Sequence, residues 1–142
     1  MRKVFILMCF VIVLQNTCYA SSQVELSKEE NIILALVWPR VTDVINAYYS
    51  EYISGKVTIT PYPYYASIVA LTDDKSDSDE CGRYTVIVEV TPYIGAHNPV
   101  GRDRITISVD AAYGTQVCKF QHLESYEILH PYQKERVIKP LP

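Results

Sequence analysis

His97 and Asn98 lie in the segment Tyr93-Ile94-Gly95-Ala96-His97-Asn98-Pro99-Val100-Gly101-Arg102-Asp103, which packs two glycines, a proline, an imidazole and an amide into eleven residues. Loops that specify their own geometry this closely often carry function. A histidine near its reference pKa of about 6.5 can take or give a proton at neutral pH, so His97 is a candidate general base. Its plainer alternative is a turn histidine bonded to backbone, with Asn98 forming an Asx turn before Pro99. No GxSxG, HExxH or papain-like cysteine context supplies a nucleophile, so no catalytic residue is assigned. His97, His122 and His130 are spaced too irregularly to suggest a metal ligand set, and no cofactor is expected. Asp73, Asp74, Asp77, Asp79 and Glu80 fail as a calcium loop, because Lys75 or Cys81 falls where an oxygen ligand is required. A solvated hairpin loop accounts for them.

Twelve tyrosines stand out in the composition. Tyr48, Tyr49 and Tyr52 fall in a helical stretch, Tyr62, Tyr64 and Tyr65 open the first strand, and Tyr93 precedes the His97 loop. Exposed tyrosines can stack on carbohydrate or peptide, whereas packed ones build core and rim. Tyr48, Tyr49 and Tyr93 join His97 and Asn98 as candidate binding residues.

The first twenty residues give an address. Arg2 and Lys3 precede an apolar run from Val4 to Leu14, and Cys18-Tyr19-Ala20 ends on small residues before Ser21. This is the layout of a secretory signal peptide. Eleven apolar residues make a helix about 16 Å long, short of the roughly 30 Å hydrocarbon core of a bilayer. Cleavage after Ala20 takes the formal charge from −3 to −5, since Arg2 and Lys3 leave. Such a chain is poorly suited to nucleic acid, which wants a basic patch. The expected location is secreted or extracytoplasmic, with no membrane span after cleavage. Cys9 and Cys18 leave with the signal, and Cys81 and Cys118 remain as a candidate disulfide beside the alternative of two unpaired thiols. A closed loop of that length would stabilise by about 4 kcal/mol in the chain-entropy picture.

The elements that must position these groups follow from periodicity. Ser27 and Glu30 have capping-box spacing. Ile33, Val37, Val41, Val44, Tyr48 and Tyr52 then form a helical stripe, widened by Leu34, Trp38, Ile45 and Tyr49. Pro39 predicts a kink or the start of a second helix, and Gly55 a left-handed cap. Val57–Thr60 reads as extended. Four strands are expected over Tyr64–Leu71, Arg83–Thr91, Arg102–Val109 and Thr115–His122, with Tyr84, Val86, Val88, Val90, Ile105, Ile107 and Val109 facing inward. The fold class is α+β: a helix packed on a four-stranded antiparallel sheet, in cystatin-like or NTF2-like outline. Residues 1–20 form the signal peptide, 21–122 one domain and 123–142 a tail.

The chain also resembles the small exported proteins of spore-forming Gram-positive bacteria grouped as domain-of-unknown-function family 3888. The matching positions are Tyr48 and Tyr49; Gly95, His97, Asn98 and Pro99; Gly101, Asp103, Ile105 and Thr106; and Phe120 and His122. The link between Pro99 and Gly101 is shorter than the family pattern, and the acidic insert and cysteine pair depart from it. The resemblance implies fold and compartment, and no chemistry.

These features point to an exported, non-catalytic binding or interaction module at the cell envelope, with an unknown envelope or extracellular partner. The alternative is a small secreted hydrolase with His97 as base.

Overall fold

The computed structural model describes residues 26–58, 66–73, 83–95 and 98–142. The signal segment, the tyrosines at 62, 64 and 65, the acidic run after Asp73, Cys81 and His97 lie outside the described residues.

Helix α1 spans Lys28–Tyr49, 22 residues, and begins as its sequence dictates. The Ser27 hydroxyl accepts from the Glu30 N–H at 3.1 Å, and the Glu30 carboxylate accepts from the Ser27 N–H at 2.8 Å. Two of the otherwise unpaired first-turn donors are thereby satisfied. Pro39 lies inside one continuous helix and opens no second one. The buried line is Leu34, Val37, Val41, Ile45 and Tyr49. The expected stripe is therefore rotated: Ile33, Trp38, Val44 and Tyr48 flank the line at its edges. Each buried aliphatic on it contributes about 1.5–3 kcal/mol of transfer free energy.

The helix stops earlier than Gly55. The Ser50 hydroxyl donates to the Ala47 carbonyl at 2.7 Å, and the Tyr49 carbonyl accepts from both Tyr52 and Ile53. Tyr52 thus sits in the turn after the helix. Gly55 does adopt a positive φ, 77°, but six residues beyond the last helical residue.

Four long strands form one antiparallel sheet in the order β1 (Ala66–Asp73), β2 (Arg83–Val90), β5 (Gly101–Asp110), β6 (Gly114–Ser125). A short hairpin of β3 (Tyr93–Ile94) and β4 (Asn98–Pro99) is inserted between β2 and β5. The meander matches the expected four-strand order. Val86, Val88, Val90, Ile105 and Ile107 are buried against α1, as alternation requires. The exceptions are Tyr84, 42 % exposed near the start of β2, and Val109, which is only partly buried. The β5–β6 turn is closed by the Asp110 carboxylate, which accepts from the Ala112 and Tyr113 N–H groups, and Gly114 takes φ 76°. Those contacts, ahead of the Arg83 ion pair, hold the Asp110 carboxyl below its usual range.

The last strand carries two irregularities. Thr106 pairs with Lys119 but Ile107 with Val117, and Asp103 pairs with His122 but Arg102 with Glu124. Cys118 and Leu123 are the extra residues, one in each β-bulge. Beyond β6, residues 126–142 return to the domain. The Tyr126 N–H donates to the Val100 carbonyl, Ile53 bridges Val137, and the Arg136 guanidinium holds the Ser54 and Lys56 carbonyls. A single turn, α2 (Pro131–Lys134), lies within this segment.

Candidate functional site

The inward row of β5 runs Asp103, Ile105, Ile107, and the first of these is a carboxylate with no solvent exposure. A buried charge needs partners, and Asp103 has two. Tyr49, on the last turn of α1, donates its hydroxyl to Oδ2 at 3.0 Å. His122, directly across on β6, places Nδ1 2.7 Å from Oδ1. Burial raises the Asp103 carboxyl above the ordinary range, and the bonds to His122 and Tyr49 pull it part of the way back. The Tyr49 hydroxyl is pushed far upward, by burial first and by the Asp103 charge second. Tyr49 therefore stays a neutral donor.

The imidazole is held on its other side as well. His122 Nε2 lies 2.7 Å from Ser125 Oγ, and Ser125 Oγ lies 2.6 Å from the Pro142 carbonyl oxygen. Tyr48 stacks on the His122 ring at 5.2 Å between centroids and meets Phe120 in a tilted pair at 4.8 Å. Tyr49 meets the imidazole edge-on at 6.1 Å. The ring is thus clamped by aromatic faces, with its side chain 13 % exposed. Burial, and next the Tyr52 hydroxyl, also raise the Tyr48 pKa above the ordinary phenol range.

Two backbone features make this approach possible. Gly101 lies opposite Ser125, where a Cβ would stand 2.5 Å from the Glu124 carbonyl, 2.5 Å from the Tyr49 hydroxyl and 2.8 Å from His122 Cε1. Only glycine leaves room there. The Leu123 bulge does the rest. Without it, residues 122 and 125 would face opposite sides of the sheet. The extra residue flips parity, sending Glu124 to the outer face with Arg102 and returning Ser125 to His122. On that outer face Glu89 accepts from both Arg102 and Arg104, and Arg102 bonds Glu124. The Arg102 bond is what lowers the Glu124 carboxyl.

The relay therefore runs from interior to surface as Tyr49, Asp103, His122, Ser125. Its last member lines a cleft of about 460 Å³ together with Tyr126, Glu127, Ile128, Lys134, Val137 and Leu141. Protons can be counted along it. With Asp103 ionised, Nδ1–H must donate to it. An imidazolium would then donate from Nε2 to Ser125, leaving the serine proton for Pro142. A neutral ring would instead accept the serine proton at Nε2. The Pro142 carbonyl and the imidazole thus compete for one hydrogen.

The residues singled out in the sequence distribute unevenly around this centre. Tyr48 and Tyr49 belong to it. Tyr93 is buried and pairs with Thr58 at 2.8 and 2.9 Å through backbone, in a bridge beside the core. Asn98 pairs with Ile94 across the small hairpin. Cys118 is exposed, and its thiol lies 3.7 Å from the Gln116 carbonyl oxygen. The sequence offers Asp103 and His122 only as parts of the family pattern, His122 also in an irregularly spaced histidine set, and does not mark Ser125. The available signal was Asp103 itself, a lone charge on the inward row of an otherwise apolar strand. Among the described residues no group of three or more His, Cys, Asp or Glu could hold a metal ion, and no helix is long and apolar enough to cross a membrane.

A family model described as "Protein of unknown function (DUF3888)" matches residues 29–124, and the chain belongs to that family. No curated protein and no solved structure matches it.

Proposed function

We propose that this member of the DUF3888 family is an exported binding module. It leaves the cell by cleavage after Ala20 and engages an extended peptide carbonyl in the cleft that Ser125 lines. One observation carries the ligand class. Ser125 Oγ already donates to a main-chain oxygen of this chain, that of Pro142, at 2.6 Å. Leu141, next to it in the chain, contributes an apolar wall to the same cleft. A small number of placed polar groups in a largely apolar concavity is the usual make-up of a ligand site. Here the polar group is a serine whose orientation is fixed from behind by His122 and buried Asp103. The N-terminal charge, apolar run and small residues support the extracytoplasmic location.

The test is a titration of the labelled protein with the capped peptide acetyl-Ile-Lys-Pro-Leu-Pro-amide, followed by amide NMR shifts. Shifts at Ser125, Tyr126 and Ile128 are expected, weakened by Ser125→Ala. Unmoved signals at millimolar peptide would reject the cleft as a peptide site. Intact-mass measurement of the exported protein, with and without reductant and alkylation, reports whether Ala20–Ser21 is cleaved and whether Cys81 and Cys118 are bridged or free.

A further inference from the structure

We infer that Asp103, His122 and Ser125 form an acyl-transfer triad, with Ser125 Oγ as the nucleophile toward an ester or amide carbonyl seated in the adjoining cleft. This rests on the cleft being the ligand site, and adds turnover to binding.

Three features of the paired strands β5 and β6 meet the geometric needs of nucleophilic catalysis. The nucleophile and base are within hydrogen-bond reach, at 2.7 Å from Ser125 Oγ to His122 Nε2. The base is oriented by a third group, at 2.7 Å from His122 Nδ1 to Asp103 Oδ1. That third group is wholly buried, while Ser125 is exposed at the cleft wall. Burial matters because a carboxylate shielded from water holds the imidazole in one tautomer, with Nε2 free to accept. Tyr49 occupies the second carboxylate oxygen, so Asp103 cannot rotate away from the ring without losing a buried bond.

The step balances within these groups and one water. Ser125 Oγ bonds the substrate carbonyl carbon as its proton passes to His122 Nε2. The carbon–heteroatom bond then breaks, and the leaving alkoxide or amine takes that proton. Water attacks the acyl-serine, gives a proton to Nε2, and the carboxylic acid departs as Ser125 recovers its hydrogen. The Pro142 carbonyl opposes the first event, because it accepts the same serine hydrogen. Segment 139–142 therefore acts as a resident competitor, and its displacement by substrate is part of the cycle.

The experiment uses the full exported chain and a fluorophosphonate probe, read by intact mass and peptide mapping. One adduct on Ser125 is expected, absent in Ser125→Ala and slowed by about 10²–10⁴-fold in His122→Gln. Para-nitrophenyl acetate hydrolysis should fall with it. Ser125→Cys is the variant that guards against misfolding: in the reduced chain its thiol should alkylate with iodoacetamide faster than Cys118, and lose that advantage in the His122→Gln background. Adducts missing from Ser125, or equal alkylation of the two thiols, would overturn the triad. If the capped peptide still shifts Ser125 in that case, the binding site stands and only turnover is lost. If neither occurs, both fall.

Discussion

Asp103 and His122 face each other across β5 and β6 with 2.7 Å between carboxylate and imidazole, and the carboxylate has no solvent exposure at all. Because the charge cannot be relieved by water, every group around it is committed to satisfying it. Tyr49 gives its hydroxyl, His122 sets Nδ1 against the other carboxylate oxygen, and Gly101 gives up a side chain so that both can come close. The stability and the chemistry of this region are therefore one problem, and each member can be tested for its share.

Asp103→Asn should change how stability depends on pH. The folded Asp103 pKa is raised above its unfolded value. Its favourable contribution is therefore complete below the unfolded pKa and is lost as pH rises through the folded one. Wild type should lose stability relative to Asp103→Asn as pH rises above the unfolded carboxyl pKa of about 3.9. Urea denaturation of both proteins across that range measures the difference, and parallel profiles would contradict it.

Tyr49→Phe removes one of two donors to a buried carboxylate. Hydrogen bonds to charged groups are worth about 1.5–3 kcal/mol, so a loss of that order is expected at neutral pH. The remaining carboxyl should titrate higher still, because a bond favouring its charged form has gone. Carbon-13 NMR of the Asp103 carboxyl reads the direction of the shift.

Gly101→Ala should cost about 1–3 kcal/mol through overpacking. The added methyl meets backbone and two cluster side chains, so His122 and Tyr49 must move. Gly114→Ala is the informative comparison. Nothing lies within 4 Å of its Cβ, but its φ of 76° makes any side chain strained, at about 1–2 kcal/mol. Only the Gly101 variant should alter the near-ultraviolet dichroism of the tyrosine cluster or the NMR signals of His122.

Ser27→Ala should cost about 1 kcal/mol by removing the acceptor for the Glu30 N–H. The cluster at the far end of α1 should be unaffected, so the His122 ring signals should keep their native shifts while the thermal midpoint falls.

Much of the architecture was legible because its causes are local. The Ser27–Glu30 box, the helical stripe and the alternation along β2 and β5 reflect periods of about 3.6 and 2 that any short window reveals. Even there, packing adjusted the outcome. The centre of the helical face is the row Leu34, Val37, Val41, Ile45, Tyr49, because it bisects the two apolar rows that periodicity offered. Gly55 marked the turn after the helix and not its cap, since Ser50 and the Tyr49 carbonyl close the helix first.

By itself the sequence determined an α+β chain with one amphipathic helix and four alternating strands, and a charged–apolar–small N-terminus. It also held an anomaly whose weight was easy to miss, a carboxylate on an inward row. Tertiary structure alone decided what that carboxylate meets. Tyr49 is 54 residues from Asp103 and His122 is 19, separations at which strand register, not chain connectivity, sets distance. Ser125 joined them only because Leu123 is an extra residue in β6 and reversed the side-chain parity beyond it. A bulge is set by pairing with the neighbouring strand. No local period encodes it, and the residue it delivers to His122 became visible only in the folded chain.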